Sequence, residues 1–145
     1  MSSVIPLLKR LQADAIVFVM KTHNYHWNVV GMDFHPTHLA TEEIYEAFSD
    51  VYDDLAERLL QLGQKPLVTL KDVLAEAKIS EENSTKFTSR QIIEAIEKDY
   101  MYFEKTFREL SEAASGAGDS VTAAFADDNL AKLQKSLWML RAQLA

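Results

Sequence analysis

All four histidines of the 145-residue chain lie within one stretch of sixteen residues, at positions 23, 26, 35 and 38. Imidazole is the commonest neutral metal ligand in proteins, so this cluster indicates metal binding. His26 lies five residues before Gly31 and His38 seven residues after it. In an antiparallel helical hairpin that turns at Gly31, both imidazoles would lie roughly 8 to 10 Å from the turn, at about 1.5 Å per residue. They could face each other, although hydrogen bonding at a polar hairpin end would explain the same pattern.

A row of carboxylates follows at spacings of four, three and four residues: Glu46, Asp50, Asp53 and Glu57. This spacing places side chains on one face of a helix, and Asp53 and Glu57, one turn apart, could reach one cation. The row lies nearly opposite the apolar stripe of its helix, where a solvent-exposed face belongs. An apolar shoulder beside Asp53 favours another interpretation, in which this side of the helix meets another surface. The shoulder consists of Tyr45, Tyr52, Ala56 and Leu60.

The distance between the two groups decides how they could share a metal. His38 and Asp53 are fifteen residues apart on what reads as one continuous helix, which is about 22 Å along its axis. One chain therefore cannot bring both to the same ion, and a shared site requires two chains. An antiparallel two-fold dimer would form two identical sites. The Glu-x-x-His motif of bundles with di-iron sites inside one chain does not occur in this sequence.

The elements that position these residues are predicted from apolar side chains that recur at steps of three and four. The predicted long helices cover residues 4–30, 36–63, 88 or 89 to 115–118, and 119 or 120 to the chain end. Residues 31–35, including His35, are predicted to form a loop, and a short helix is predicted over residues 70–77. One long crossover between the second and third helices is typical of a ferritin-like four-helix bundle. The prediction is therefore an all-α, single ferritin-like domain over residues 1–145.

Composition restricts the chemistry. Without cysteine, any metal must be held by nitrogen and oxygen ligands, which suits iron, manganese or zinc. The net charge of −7 opposes binding to a polyanion and favours attraction of cations. Neither a run of 18 apolar residues nor a cleavable leader is visible, so we expect a cytoplasmic protein without a membrane partner.

Several motifs resemble the signature of the Dps mini-ferritins, the DNA-binding proteins from starved cells. They are residues 23–29 with the sequence HNYHWNV, then Gly31 and His38, and residues 53–58 with the sequence DDLAER. The similarity covers nearly the whole chain, including residues 62–63, the short middle helix and residues 135–139, KSLWM. It looks closest to the neutrophil-activating branch of that family.

The resemblance implies that His26 and His38 of one subunit, with Asp53 and Glu57 of its two-fold mate, form both the catalytic and the metal site. It further implies a hollow homododecamer that oxidises Fe2+ to Fe3+ with hydrogen peroxide or, more slowly, oxygen. Ferric oxide would be stored in the cavity, which would protect the cell from oxidative damage. Trp27 would lie near the site, or serve as an interface anchor. His23 and His35 are not expected to bind the metal themselves; each is expected either to contact the metal ligands or to lie at the surface.

The family also has acidic threefold pores near the start of the fourth helix. Asp119, Asp127 and Asp128 stand there in this sequence. Acidic side chains at that place are also ordinary companions of a helix N-terminus, because they complement the helix dipole. Both interpretations remain open from the residues alone.

Many family members bind DNA through a lysine-rich N-terminal tail, whereas only Lys9 and Arg10 are basic in the opening stretch. Twelve copies at −7 each would carry about −84 charges, so we expect no DNA binding at neutral pH. Two alternatives to a ferroxidase remain: a nucleoid-coating or host-cell-activating ligand with a secondary metal site, and a structural bundle whose histidines cap a turn.

Overall fold

The computed structural model describes residues 3–145, which are mostly helical. The helices are α1 (Val4–Asn28), α2 (Phe34–Gln61), α3 (Leu70–Glu76), α4 (Ser89–Gly116) and α5 (Ser120–Leu144). Within these residues the β-type pairing is limited to one isolated parallel bridge, between Val29 and Phe87. The predicted all-α class and the short helix in the crossover are therefore confirmed. Among the described helices, none combines the length and apolar character needed to cross a membrane.

Local signals set several helix ends. At the start of α4, Thr88 Oγ1 accepts from the Gln91 N–H (3.2 Å), and Gln91 Oε1 accepts from the Thr88 N–H (2.9 Å). This reciprocal pair is a capping box, which satisfies two N–H groups that have no partner inside the helix. At the start of α5, the Asp119 carboxylate accepts from the Thr122 N–H at 3.0 Å. Gly118, just before that cap, has a φ of +74°, which glycine adopts without steric cost.

Residues 9–92 form one compact unit that contains most of α1, all of α2 and α3, and the crossover. The apolar face of α1 is buried along its length, and Phe18 packs edge-on against Phe48 of α2 with ring centroids 4.6 Å apart. Leu55 and Leu59 continue the buried stripe of α2. Full burial of each such side chain stabilises the fold by roughly 1.5–3 kcal/mol. These contacts keep the two histidine-bearing helices together.

Polar side chains of α1 hold the crossover in place. Gln12 exchanges two hydrogen bonds of 2.9 Å with the Leu67 backbone. The buried Asp14 carboxylate accepts from the N–H groups of Lys78 (2.6 Å) and Ile79 (2.9 Å). Because these backbone groups lie outside helices, the side chains of α1 supply the partners that secondary structure would otherwise provide.

The second compact unit contains residues 93–145 and the start of α1 up to Leu8. Its core follows α4 and α5 at helical spacing, and Phe107 contacts Phe125 with ring centroids 6.5 Å apart. Burial raises the pKa of the Tyr100 phenol above its ordinary value. Each unit has its own core, and the single domain stays a prediction.

The structure corrects two boundaries next to the histidines. α1 ends at Asn28 rather than at residue 30, because the Val30 N–H donates to Phe87 O at 2.9 Å instead of continuing the helix. α2 begins at Phe34 rather than at residue 36, so His35 lies in a helix and not in the predicted loop. Pro36 fits the first helical turn because the N–H groups of that turn have no helical partner to lose. α2 also ends at Gln61, two residues before the predicted end.

Candidate metal centre

The structure brings His26 and His38 together at the α1–α2 hairpin. His26 lies in the last turn of α1 and is buried, whereas His38 lies near the start of α2 and is partly exposed. The two imidazole rings stack with centroids 3.6 Å apart and planes 15° from parallel. The similar distances of the two residues from the turn led us to expect that they could face each other, and the structure shows a direct contact between their rings.

Each imidazole is bonded to the backbone of the other residue. His26 Nδ1 is 2.7 Å from His38 O, and His38 Nδ1 is 2.8 Å from His26 O. A carbonyl oxygen can only accept, so both Nδ1 atoms carry the proton. In the neutral form each Nε2 then has a free lone pair. This is the arrangement by which proteins fix the tautomer and orientation of metal-binding histidines.

Thr41 completes the hydrogen bonding beside this pair. Its buried hydroxyl donates to Thr37 O at 2.8 Å and lies 3.0 Å from His38 O and 3.3 Å from His26 Nδ1. A hydroxyl has one proton, so donation to a carbonyl leaves its lone pairs available to the Nδ1–H group of His26. Sequence reasoning missed Thr41, although its place three residues after His38 puts both on one face of α2.

The ring stacking limits how metal can be bound. An imidazole directs its Nε2 lone pair within the ring plane, and metal–nitrogen bonds are about 2.0–2.1 Å long. Two planes that are nearly parallel and 3.6 Å apart at the ring centres do not meet within that distance. In this conformation His26 and His38 therefore cannot share one ion in their ring planes, but each can bind its own.

Further aromatic rings surround the pair. Phe34 stacks with His38 at 5.0 Å, and Tyr45 presents its ring perpendicular to His26 at 5.2 Å. Tyr45 also stacks on His23 at 3.7 Å, which places His23 one ring away from His26. Desolvation, with smaller contributions from the carboxylates of Glu42 and Glu46, raises the pKa of Tyr45. The phenol therefore stays neutral at physiological pH.

Trp27 lies on the outer side of this group. Its ring is 5.4 Å from that of His23, and 61% of the residue is exposed. His23 is fixed by a bond between its Nδ1 and Val19 O at 2.8 Å. An exposed tryptophan next to a candidate metal centre is a candidate contact for another chain.

The carboxylates are not brought to the imidazoles within the chain. Asp53 and Glu57 are exposed on α2, fifteen and nineteen residues after His38, or about 22 and 28 Å along the helix. Within residues 3–145, no group of three or more His, Asp or Glu side chains is close enough to hold a metal ion. The four predicted site residues therefore lie in two separate places, and a site that combines them needs a second chain. His35 is exposed at the start of α2.

The three aspartates near the start of α5 have local partners. Asp119 caps the helix, Asp127 accepts a bond from the Ser111 hydroxyl, and Asp128 forms an exposed ion pair with Lys132 at 3.2 Å. The helix-terminus interpretation accounts for Asp119. A pore role for any of the three stays a prediction.

Known proteins similar to this chain define its class. Residues 5–145 match the family model described as Ferritin-like domain. The chain is 58% identical over 139 residues to the DNA protection during starvation protein of Helicobacter pylori strain J99, over 96% of each chain. The crystal structure of Helicobacter cinaedi CAIP matches it with a TM-score of 0.97 and 60% identity, over 98% of this chain and 99% of that one.

A third relative links the class to a type of metal centre. The Dps protein of Vibrio cholerae O1, described as a member of a broad superfamily of ferritin-like diiron-carboxylate proteins, matches with a TM-score of 0.95 and 31% identity. The match covers 99% of this chain and 90% of that one. The chain therefore belongs to the ferritin-like family and, within it, to the Dps proteins. The family and the ferritin-like fold indicated by the sequence are both confirmed.

Proposed function

We propose that this protein is a ferroxidase and iron-storage protein that oxidises Fe(II) at sites formed between two subunits. Family membership supports iron storage and protection in general terms. The observation that carries the specific proposal is the stacked pair of His26 and His38, with Nε2 of each free to bind metal. The proposed carboxylate ligands, Asp53 and Glu57, come from a second copy.

The surface of residues 9–92 supports pairing with another copy. An open groove of about 740 Å³ lies between α1, α3 and residues 81–85. Large exposed apolar side chains line it: Met20, Trp27, Leu70 and Leu74. Contiguous exposed apolar surface of this kind is typical of a protein–protein interface. Trp27 belongs both to the groove and to the aromatic group around His26, so a copy bound there would lie beside the imidazoles.

The ligand set suits the oxidation of iron. Imidazole nitrogen binds ferrous iron, and hard carboxylate oxygen stabilises the ferric product. One ion at each ring makes a pair, and two ferrous ions supply the two electrons that hydrogen peroxide needs. The balanced step is two Fe2+, one hydrogen peroxide and two protons giving two Fe3+ and two water molecules. By resemblance to the Dps mini-ferritins, we propose peroxide as the preferred oxidant, with oxygen as a slower one.

Storage requires an enclosed space, and we propose the hollow homododecamer built from two-fold dimers. The net charge of −7 per chain would attract ferrous ions to such a particle. Iron removed from solution together with peroxide no longer generates damaging oxidants, which gives the protective function.

The proposal is tested with His26→Ala and Asp53→Ala, each examined for mass by light scattering and for peroxide-driven iron oxidation. We expect an intact assembly and loss of fast oxidation in both variants. Glu94→Ala, at an exposed position of α4, is the control and should oxidise iron as the wild type does. Oxidation at the wild-type rate in both site variants would refute the proposal.

A further inference from the structure

The α1 helix ends at Asn28, two residues earlier than the end predicted from Gly31, and the cause lies in a distant segment. The Val30 N–H donates to Phe87 O at 2.9 Å, and the Phe87 N–H donates to Asn28 O at 3.1 Å. In a continuing helix the Val30 N–H would instead bond to His26 O, four residues back. The pairing with Phe87 thus removes the helical partner of the His26 carbonyl.

That carbonyl is the atom that holds the second imidazole. His26 O accepts from His38 Nδ1 at 2.8 Å. A carbonyl at a helix end, without an intrahelical donor, is open to a side-chain donor from another element. The bond that fixes the His38 tautomer therefore depends on where α1 stops, and the stop depends on Phe87.

The same short segment is bound to α2. Ser89 Oγ and Thr37 Oγ1 are 2.7 Å apart, and Thr37 is buried next to His38 in the sequence. The Phe87 ring is buried and packs perpendicular to Tyr25, the neighbour of His26, with centroids 5.0 Å apart. Residues 87–89 thus contact the end of α1 on one side and the first turns of α2 on the other. We call residues 87–89 the clamp.

We propose that Phe87 and Ser89 are positioning residues for the imidazole pair, which act by fixing the two helix ends that carry His26 and His38. This inference rests on the proposed function of that pair. Outer partners that orient metal-binding histidines typically contribute 10- to 100-fold to metal affinity. The clamp acts on both histidines through the backbone and through Thr37, so loosening it should weaken metal binding without removing a ligand.

The test uses Co(II) titration of the assembled protein, followed by visible absorption, with the variants Phe87→Ala and Ser89→Ala. We expect the Co(II) dissociation constant to rise about tenfold in Phe87→Ala and by a smaller factor in Ser89→Ala, with recovery in Ser89→Thr. Phe107→Ala is the matched control, since Phe107 is equally large and buried but belongs to the α4–α5 unit. Phe107→Ala should lower the melting temperature about as much as Phe87→Ala does, and it should leave Co(II) binding unchanged.

A second readout separates positioning from stability. Nitrogen-15 NMR of histidine-labelled protein should show Nδ1-protonated rings for His26 and His38 in the wild type, and loss of that state for His38 in Phe87→Ala. If Phe87→Ala does not fold, Ser89→Ala carries the test, because Thr88 and not Ser89 caps α4. Wild-type Co(II) affinity in the folded clamp variants, or equal weakening in Phe107→Ala, would overturn the inference. If His26→Ala binds Co(II) as tightly as the wild type does, that result would instead refute the proposed function.

Discussion

The Thr41 hydroxyl offers a quantitative test of how the imidazole pair is held. In Thr41→Val the shape is kept, but the 2.8 Å bond to Thr37 O and the 3.3 Å contact with His26 Nδ1 are lost. Loss of an ordinary hydrogen bond costs about 0.5–1.5 kcal/mol of stability. His26 Nδ1 keeps its 2.7 Å bond to His38 O, so the loss at the imidazole is smaller, about 0.5 kcal/mol. Since 1.4 kcal/mol is tenfold, metal binding should weaken only about two- to threefold.

The assay combines urea unfolding with Co(II) titration. Thr22→Val is the control, because Thr22 is also buried and its hydroxyl donates to a carbonyl four residues back, Phe18 O, at 2.8 Å. Both variants should lose a similar amount of stability, and only Thr41→Val should lose metal affinity. Thr41→Ser should restore it. A loss of affinity as large in Thr22→Val, or none in Thr41→Val, would contradict the hydrogen-bonding account.

Three further predictions concern other parts of the molecule. Asp14→Ala leaves the N–H groups of Lys78 and Ile79 without their acceptor and should cost about 2–4 kcal/mol in the free energy of unfolding, measured in urea; a change below about 0.5 kcal/mol would contradict it. Because the folded pKa of Tyr100 is raised, its contribution to stability is complete below pH 10 and should fall as pH rises above that ordinary value; the loss of stability between pH 9 and pH 11, measured by urea unfolding, should be larger in the wild type than in Tyr100→Phe. A gel shift at low salt and neutral pH should show no DNA binding, given the net charge of −7 per chain, and a robust shift would refute that expectation.

Much of the fold could be predicted because it depends on local periodicity. The apolar spacing of α4, with Ile96, Phe103 and Phe107 buried, has no competing strand pattern, and its start was visible in Thr88 and Ser89. The end of α1 could not be predicted in the same way. It is set by pairing between Val30 and Phe87, 57 residues later in the chain, and local propensity contains no information about such a partner.

The site was predictable only in part for a similar reason. The similar distances of His26 and His38 from the turn follow from their sequence positions and helix geometry, so their approach could be expected. The reciprocal bonds between imidazoles and carbonyls depend on side-chain rotamers and on the early end of α1, which the sequence does not display. The roles of Asp53 and Glu57 depend on a second copy, so the fold of one chain leaves them as predictions.

The sharing of each site between two chains is tested most directly by complementation. One variant, His26→Ala/His38→Ala, keeps its carboxylates, and the other, Asp53→Ala/Glu57→Ala, keeps its imidazoles. Each alone should form an assembly without fast iron oxidation. When the two variants are co-expressed in equal amounts, half of the two-fold dimers would contain one copy of each. Each mixed dimer would have one intact site of two. We expect recovery of about a quarter of wild-type activity per chain, whereas co-assembled particles with no recovered activity would contradict the sharing of each site between two chains.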